Sequence, residues 1–210
     1  MENNIIKIHG TIESELKFNN SQVGENFYAM TISVMRNSGI KDFIPILISD
    51  RLINVRENYC GKYISITGQF RSYNLHSEEK NKLMLYVFVK EYELIDKNTE
   101  EDLNYVELTG FVCKTPNYRK TPLGREITDV LIAVNRSYGK SDYIPCITWG
   151  RNARYMNKLQ VGTCCKIIGR VQSREYAKRI SNEVTENRVA YEVSITQLEI
   201  LENSGGELCV

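Results

Sequence analysis

The chain has few of the residues on which most enzyme and metal sites depend. Among its 210 residues there are two histidines, His9 and His76, and one tryptophan. Neither histidine stands at metal-ligand spacing from a cysteine pair, and no Ser-His-Asp or Cys-His arrangement is plausible with both in the first half of the chain. We therefore expect no enzyme activity, no metal and no cofactor, with a cysteine nucleophile as the enzymatic alternative.

Targeting and membrane signals are missing as well. Residues Met1 to Asn4 are polar, with no basic stretch leading into an apolar run. No run of about 18 apolar residues occurs that could span a bilayer. The six cysteines form no C-x-x-C pair, and we interpret them as reduced thiols that are buried or half-buried. Together these features predict a cytoplasmic protein.

What the sequence does contain is an internal repeat with a period of 100 residues. The recurring positions are Gly10/Gly110, Gly24/Gly124, Arg36/Arg136, Ile44-Pro45/Ile144-Pro145 and, after a shift of one residue, Gly68/Gly169 and Ser72/Ser173. A polar run without apolar residues separates the copies and is typical of a linker. We predict a first repeat at 1–96, a linker at 97–104, a second repeat at 105–202 and a flexible tail at 203–210.

Both repeats show the same order of predicted elements. Alternating apolar and polar residues predict strands, and apolar residues three apart predict a short helix after the third strand. The second repeat gives Tyr105–Val112, Ile127–Val134, Tyr143–Trp149, helix Arg151–Leu159, then Thr163–Glu175 and Val189–Leu201 around a polar loop, Ala177–Arg188. The first gives Ile5–Ile12, Phe27–Val34, Phe43–Ser49, helix Arg51–Asn58, Lys62–Tyr73 and Leu83–Leu94.

Three strands, a helix and two further strands are the order of an OB-fold. We therefore predict an all-β chain of two tandem OB-folds, which are five-stranded Greek-key barrels, each with one short helix between strands 3 and 4. Pro45 and Pro145 fall inside the third strand of each repeat. Because proline cannot donate to a strand ladder, we expect a free edge or a bulge at these positions.

The charge of the chain is distributed unevenly. The net charge is only +1, yet 111–179 contains fourteen lysines and arginines and four acidic residues, a local charge of +10. The equivalent stretch of the first repeat, 11–79, has seven basic and eight acidic residues. Such a basic segment indicates a polyanionic ligand, with a solvated surface that binds nothing as the alternative. The cations that we expect to contact phosphates are Lys114, Arg119, Arg125, Arg136, Lys140, Arg151, Arg170, Arg174 and Lys178.

Aromatic residues lie among these cations. Tyr143 and Trp149 are six residues apart on one predicted strand, so they share a face and stand about 20 Å apart. Tyr138 lies in the basic loop 136–140, and Tyr176 ends the strand that carries Arg170 and Arg174. Single-stranded nucleic acids bind such surfaces because phosphates attract cations and unpaired bases stack on rings. For each ring, a place in the core is the alternative.

Longer motifs in the second repeat carry a family resemblance. They are Leu108–Phe111, Thr115–Arg119, Thr121–Gly124, Leu131–Arg136, Asp142–Gly150, Val161-Gly162, Ile168–Tyr176 and Tyr191–Val193. Through them the second repeat resembles the bacterial single-stranded DNA-binding proteins over nearly all of its length. The resemblance implies that Tyr138, Tyr143, Trp149 and Tyr176 stack on bases. In the first repeat Phe43 matches Tyr143, but Ser49 replaces the tryptophan and Leu75 stands opposite Tyr176.

We therefore predict sequence-nonspecific binding and protection of single-stranded DNA in replication, recombination or repair, in association with the nucleoid. The second repeat is expected to be the main binding domain, and the first a framework, a dimer contact or a weak second site in which Phe43 stacks. An OB-fold interaction module, such as a primosome accessory subunit with weak DNA binding, is the alternative.

Assembly and partners are expected to follow the family. Members with one barrel act as tetramers, so a chain with two barrels is predicted to form a homodimer with four. Replication or repair proteins are further partners that the resemblance implies. Family members recruit them through a long acidic tail that closes on an aromatic residue, and this chain departs from that pattern by ending Glu207-Leu208-Cys209-Val210.

Overall fold

The computed structural model describes residues 2–76, 81–179 and 185–201, which form twelve β-strands and one α-helix. The strands of the first repeat are β1 (Asn4–Ile12), β2 (Lys17–Gln22), β3 (Glu25–Met35), β4 (Lys41–Ser49), β5 (Tyr63–His76) and β6 (Asn81–Leu94). Those of the second are β7 (Leu103–Val112), β8 (Asn117–Lys120), β9 (Glu126–Asn135), β10 (Ser141–Trp149), β11 (Cys164–Arg179) and β12 (Thr185–Ile200). Helix α1 (Gly150–Met156) lies between β10 and β11.

Each repeat closes into a barrel. In the first, the strands follow the order β3-β4-β6-β5-β1, and β1 also pairs with β3. In the second, the order is β7-β11-β12-β10-β9, and β7 also pairs with β9. Two parallel contacts, between β4 and β6 and between β10 and β12, complete the OB-fold topology. The predicted all-β class with two tandem OB-folds is therefore confirmed.

Glycine permits the closure of both barrels. The inward side chains of β1 and β7 are large and fully buried, as with Ile8 and Leu108. Where β1 pairs with β3, and where β7 pairs with β9, the inward position is occupied by Gly10 or Gly110 instead of a large side chain. A Cβ atom there would lie 2.5 Å from the Ser33 carbonyl oxygen or 2.4 Å from that of Ala133. No side chain fits so close to a backbone oxygen, which explains why both repeats have glycine at this position.

The two barrels share one continuous sheet. Strands β1 and β7 pair antiparallel, with Ile6 opposite Val106, Asn4 opposite Leu108 and Ile8 opposite Asn104. Ile6 and Val106 are equivalent positions of the repeat, so this pairing places an approximate twofold axis between them. The result is a twelve-stranded sheet with β2 and β8 at its ends.

A buried carboxylate of each repeat binds the other repeat. Asp142 accepts hydrogen bonds from Arg136 Nε of its own repeat and from the backbone N–H of Ser72, both at 2.6 Å. Arg136 also donates to the carbonyl oxygen of Ser72 at 2.9 Å. The N–H of Tyr143 donates to Ser72 Oγ, again at 2.9 Å. We call this set the Asp142 bridge.

The twofold axis generates a second bridge with the repeats exchanged. Asp42 accepts from Arg36 Nε at 2.6 Å and from the backbone N–H of Ser173 at 2.7 Å. The N–H of Phe43 donates to Ser173 Oγ at 3.1 Å. We call this set the Asp42 bridge. Because both carboxylates are fully buried, each bridge replaces the hydration that its carboxylate loses.

Several local features differ from the sequence prediction. The predicted helix forms in the second repeat, whereas Arg51–Asn58 in the first forms turns. There, Asn54 Oδ1 accepts from the backbone N–H of Arg56, and Asn58 Oδ1 accepts from that of Cys60. Such local bonds from side chain to backbone compete with helical ones. The helix of the second repeat instead buries Ala153 and Met156 against the barrel.

Strand boundaries also differ from the prediction. The polar segment Ala177–Arg188 is not all loop, since β11 continues to Arg179 and β12 begins at Thr185. Strands β2 and β8 were not predicted, because both are short and mostly exposed and therefore lack apolar alternation. The predicted linker 97–104 overlaps the start of β7, and the predicted tail 203–210 lies outside the described residues.

The strand prolines behave as expected. Pro45 pairs with Thr31 of β3, but the pairing of β4 with β6 begins only at Ile46. Pro145 likewise pairs with Leu131 of β9, and the pairing of β10 with β12 begins at Cys146. The predicted free edge at both prolines is confirmed for the described strands.

The Asp142 bridge generates a prediction about stability. Asp142→Asn should lower the free energy of unfolding by about 3 kcal/mol, because it leaves the Arg136 guanidinium without its buried counter-charge. Urea denaturation would measure this change. The control is Asp129→Asn, which breaks a half-exposed ion pair with Arg119 and should lower stability by less than about 1 kcal/mol. Equal losses in the two variants would contradict a structural role for the bridge.

Candidate nucleic-acid interface

Strand β10 presents aromatic rings on its outer face. Tyr143 is 43% exposed and Trp149 is 38% exposed. The side chains that alternate with them, Ile144, Cys146 and Thr148, are buried in the second barrel. The predicted common face of Tyr143 and Trp149 is therefore present, and neither ring is a core residue.

A turn follows Trp149 directly. Gly150 has a φ of +56°, a left-handed conformation that favours glycine, and α1 begins there. The sharp turn leaves Trp149 at the end of the strand, paired with Ile127 of β9. Arg151, the next residue, is exposed. The local sequence Trp-Gly-Arg thus places an exposed ring and an exposed cation two residues apart at the end of β10.

Tyr176 lies on the ribbon that β11 and β12 form. It pairs with Arg188 and is 36% exposed. The guanidinium carbon of Arg174 lies 5.8 Å from the centroid of its ring. Arg174 Nε is also 4.0 Å from a carboxylate oxygen of Glu192, at the limit of an ion pair. This ribbon therefore carries a second exposed pairing of ring and cation.

Two of the predicted residues can be placed only by their backbone. Tyr138 lies in a short 3-10 helix, Ser137–Gly139, between β9 and β10, and Lys178 lies in β11. Their side chains lie outside the described part of the structure. Their predicted contacts with bases and phosphates stay predictions.

On β4, the strand of the first repeat that corresponds to β10, the outer face carries one ring. Phe43 is 46% exposed on β4, and its N–H belongs to the Asp42 bridge. Ser49, which stands where Trp149 stands in the second repeat, is buried and donates to Glu25 Oε1. The Leu75 side chain lies outside the described residues. The first barrel therefore uses the tryptophan position for an internal hydrogen bond.

The predicted cations fall into two groups. Four are exposed and have no ion pair with any residue in the described ranges: Lys114, Arg125, Lys140 and Arg151. Four have carboxylate partners: Arg119 with Asp129, Arg136 with Asp142, Arg170 with Asp42 and Arg174 with Glu192. The local charge of +10 therefore overstates the number of cations that are free to bind a ligand.

The paired arginines differ in how firmly they are held. Arg119 makes two bonds to Asp129, at 2.6 and 3.2 Å, and this pairing raises the pKa of Arg119. Hydrogen bonding to Asp142 likewise raises the pKa of Arg136. Arg170 is different, because burial lowers its pKa and its Nη1 is buried without a hydrogen-bond partner among the described residues.

Three cysteines of the second barrel, Cys146, Cys164 and Cys165, are buried, and Cys113 is half-buried. Cys146 and Cys165 are buried, and burial raises the pKa of Cys165 to about 11 and that of Cys146 well above its usual range. Thiolate is therefore scarce at both sites near neutral pH, whereas a cysteine nucleophile reacts as the thiolate and has a lowered pKa. Within the described ranges, no helix has the length and apolar character to span a membrane, and no three His, Cys, Asp or Glu residues could jointly bind a metal ion.

A cleft between the repeats was not predicted from the sequence. It has a volume of about 360 Å³ and lies between the first barrel and the turn before β10. Its residues come from both repeats: Asn20, Gln22, Phe27, Leu47, Arg71, Ser72, Tyr73, Asn74, Phe88, Arg136, Lys140 and Ser141. The sequence did contain a signal for aromatic residues at this surface. Tyr86 and Phe88 alternate with the inward residues of β6, so both lie on the outer face of that strand.

Comparisons with known proteins relate this geometry to one family. The profile of the "Single-strand binding protein family" matches residues 103–201. Single-stranded DNA-binding protein A of Bacillus subtilis (strain 168) is 34% identical over 113 residues, which span 50% of this chain and 63% of that protein. Single-stranded DNA-binding protein 1 of Staphylococcus aureus (strain COL) is 31% identical over 113 residues, spanning 50% and 68%.

A solved structure extends the likeness in fold to both repeats. The single-stranded DNA-binding protein of Thermus aquaticus superposes with a TM-score of 0.77 at 17% identity, covering 98% of this chain and 96% of that one. At this identity the likeness concerns the fold alone. Tandem barrels in this arrangement therefore also occur in a solved protein.

Proposed function

Since the chain belongs to the single-strand binding protein family, we propose that it binds single-stranded DNA without sequence preference, through the outer face of the second repeat. The observation that carries this proposal is the exposure of Tyr143 and Trp149 on one face of β10. Two residues after Trp149, Arg151 is exposed and has no ion pair with any described residue. This role requires no catalytic group. The wider role that we propose is protection of the strand during replication, recombination or repair.

Stacking accounts for the preference for single strands. Every unpaired base exposes a flat face that can stack on a ring, whichever base it is. In a duplex those faces are covered by neighbouring bases, so the rings cannot reach them. Tyr143 and Trp149 are six residues apart, or about 20 Å along the strand, so they would stack on different bases. Tyr176 on the ribbon offers a further ring.

Phosphate contacts are assigned to the cations that have no carboxylate partner among the residues that the structure describes. We assign them to Lys114, Arg125, Lys140 and Arg151, which are exposed around the second barrel. Arg119 and Arg136 would have to give up a carboxylate before they bound a phosphate. That exchange is least favourable at Arg136, because Asp142 is fully buried and would be left unpaired.

Stacking leads to the first binding prediction. Trp149→Ala should weaken the binding of a fluorescently labelled oligothymidylate by about 1–3 kcal/mol, the contribution of one stacked base. Phe43→Ala should have less than half of that effect. The anisotropy of the labelled oligothymidylate is a suitable readout. Tryptophan emission is not, because Trp149 is the only tryptophan and the variant lacks it. The control is Tyr155→Ala, which removes an exposed ring from α1. Equal effects of Trp149→Ala and Tyr155→Ala, or equal affinity for duplex, would refute the proposal.

The sorting of the cations leads to a second prediction. The logarithm of the affinity should fall linearly with the logarithm of the salt concentration. Each phosphate contact on a single strand makes this slope steeper by about 0.7. Arg151→Gln should therefore make the slope shallower by about 0.7, while Arg119→Gln, which removes the same charge from an ion pair, should change it by much less. The slope comes from anisotropy titrations at several salt concentrations. Identical slopes for the two variants would show that the ion pairs do not select the binding cations.

We also propose a homodimer with four barrels. Support comes from β2 and β8, the two ends of the twelve-stranded sheet, which among the described strands each have one unpaired edge. Unpaired strand edges are ready to pair with another chain. Light scattering at micromolar concentration should give twice the chain mass of 24.3 kDa. A mass of one chain would refute the dimer and leave the strand-binding proposal untouched.

A further inference from the structure

We propose that the cleft between the repeats is a nucleotide pocket, which takes one unpaired base of the bound strand together with a neighbouring phosphate. This inference rests on the proposed function and gives the first repeat a site that differs from the tryptophan face of the second. Its volume of about 360 Å³ is at the small end of ligand pockets, as a single nucleotide requires.

The floor of the cleft is apolar and aromatic. Phe27, Leu47 and Phe88 are outer-face residues of β3, β4 and β6, and Leu47 stands opposite Phe88 in the parallel pairing. The ring centroids of Phe27 and Phe88 are 5.6 Å apart. Although they lie on the outer face of the barrel, Phe27 and Leu47 are buried. The floor is therefore a recess that can shield one face of a base from water.

Arg71 provides both a stacking surface and a charge. Its guanidinium carbon lies 3.7 Å from the centroid of the Phe88 ring. Gln69 Oε1 accepts from Arg71 Nε and Nη2 at 3.1 and 2.7 Å, which fixes the plane of the guanidinium. Within the described ranges Arg71 has no carboxylate partner. A guanidinium held in this way can stack on a base and keeps its charge for a phosphate.

Asn20 provides a hydrogen-bond acceptor to which no described residue donates. Its Oδ1 atom is buried in the described structure and has no partner there. Native proteins rarely leave such an atom unsatisfied. Each of the four bases has an N–H on its Watson–Crick edge, and that edge is available only when the base is unpaired. The Asn20 acceptor therefore suits a base from a single strand, and the amides of Gln22 and Asn74 lie in the same lining.

The second repeat completes the rim. Lys140 is exposed, lacks a carboxylate partner among the described residues and lines the cleft. Arg136 lies with its guanidinium carbon 5.3 Å from the ring centroid of Tyr73. Ser72, another lining residue, accepts the N–H of Tyr143. The start of β10, which carries Tyr143, therefore adjoins the wall of the cleft, and we infer that one strand can contact both.

The residues that form the cleft differ from those at the equivalent positions across the twofold axis, so the cleft is not a general feature of the OB-fold. Its floor residues Phe27, Leu47 and Phe88 correspond to Ile127, Ile147 and Ser194 in the second repeat, and Arg71 corresponds to Gln172. Lys140 corresponds to Ile40. The equivalent surface on the other side of the axis therefore lacks the aromatic floor and both cations.

The test uses the full chain and a labelled oligothymidylate, with affinity read by fluorescence anisotropy. Phe88→Leu keeps an apolar side chain but removes the ring that supports the Arg71 guanidinium. It should therefore weaken binding about tenfold. Arg71→Gln, which gives the residue found in the second repeat, should also weaken binding and should make the salt dependence shallower by about one phosphate contact. The control is Phe18→Leu, at an exposed ring on β2 outside the cleft that should leave affinity unchanged.

Crosslinking locates the base directly. An oligonucleotide with 4-thiothymidine should crosslink on irradiation to peptides that carry Phe88 or Tyr73, and Phe88→Leu should reduce that yield. If wild type and Phe88→Leu bind equally and no crosslink forms in the cleft, this inference is overturned, while a loss of binding in Trp149→Ala would still support the proposed function. If wild type binds no strand, the proposed function fails first. Should Phe88→Leu fail to fold in a urea titration, Arg71→Gln decides, because glutamine already occupies the equivalent position of the second repeat.

Discussion

The arrangement of the two barrels depends on a carboxylate that is buried at their junction, once on each side of the twofold axis. Asp42 and Asp142 are both fully buried, and each is satisfied by an arginine of its own repeat and a serine N–H of the other. An unpaired charge there would be strongly unfavourable, so the barrels are stable only in the register that brings the serines to the carboxylates. The pairing of β1 with β7 supplies the same register through the sheet.

This junction also positions the surfaces that we assign to the DNA strand. Tyr143 follows Asp142 directly, and its backbone N–H is bound to Ser72 of the first repeat. Ser72 in turn lies in the wall of the cleft, between Arg71 and Tyr73. A rigid junction therefore holds the aromatic face of β10 and the cleft at a fixed separation. Binding of a flexible strand is favoured by such preorganisation, because the protein does not lose further conformational freedom on binding.

Much of the fold and part of the site could be predicted from the sequence. The strands of both barrels followed from alternation, because a strand that is half-buried places its apolar residues two apart. The same rule placed Tyr143 and Trp149 on one outer face. It failed for β2 and β8, whose side chains are mostly exposed, and for Arg51–Asn58, where asparagine side chains compete for the backbone hydrogen bonds of a helix.

The repeat, the succession of strands along the chain and the alternation that turns aromatic rings outward could be inferred from the residues alone, because each depends on neighbours along the chain. Which cations lack a carboxylate partner in the described ranges depends instead on long-range contacts, since Arg136 is paired with Asp142 and also contacts Ser72, 64 residues away. It also decided that Phe88, Arg71 and Lys140 line one cleft, since they come from three strands or turns in two repeats. Local periodicity predicts which way a side chain points, but long-range packing determines what it meets there.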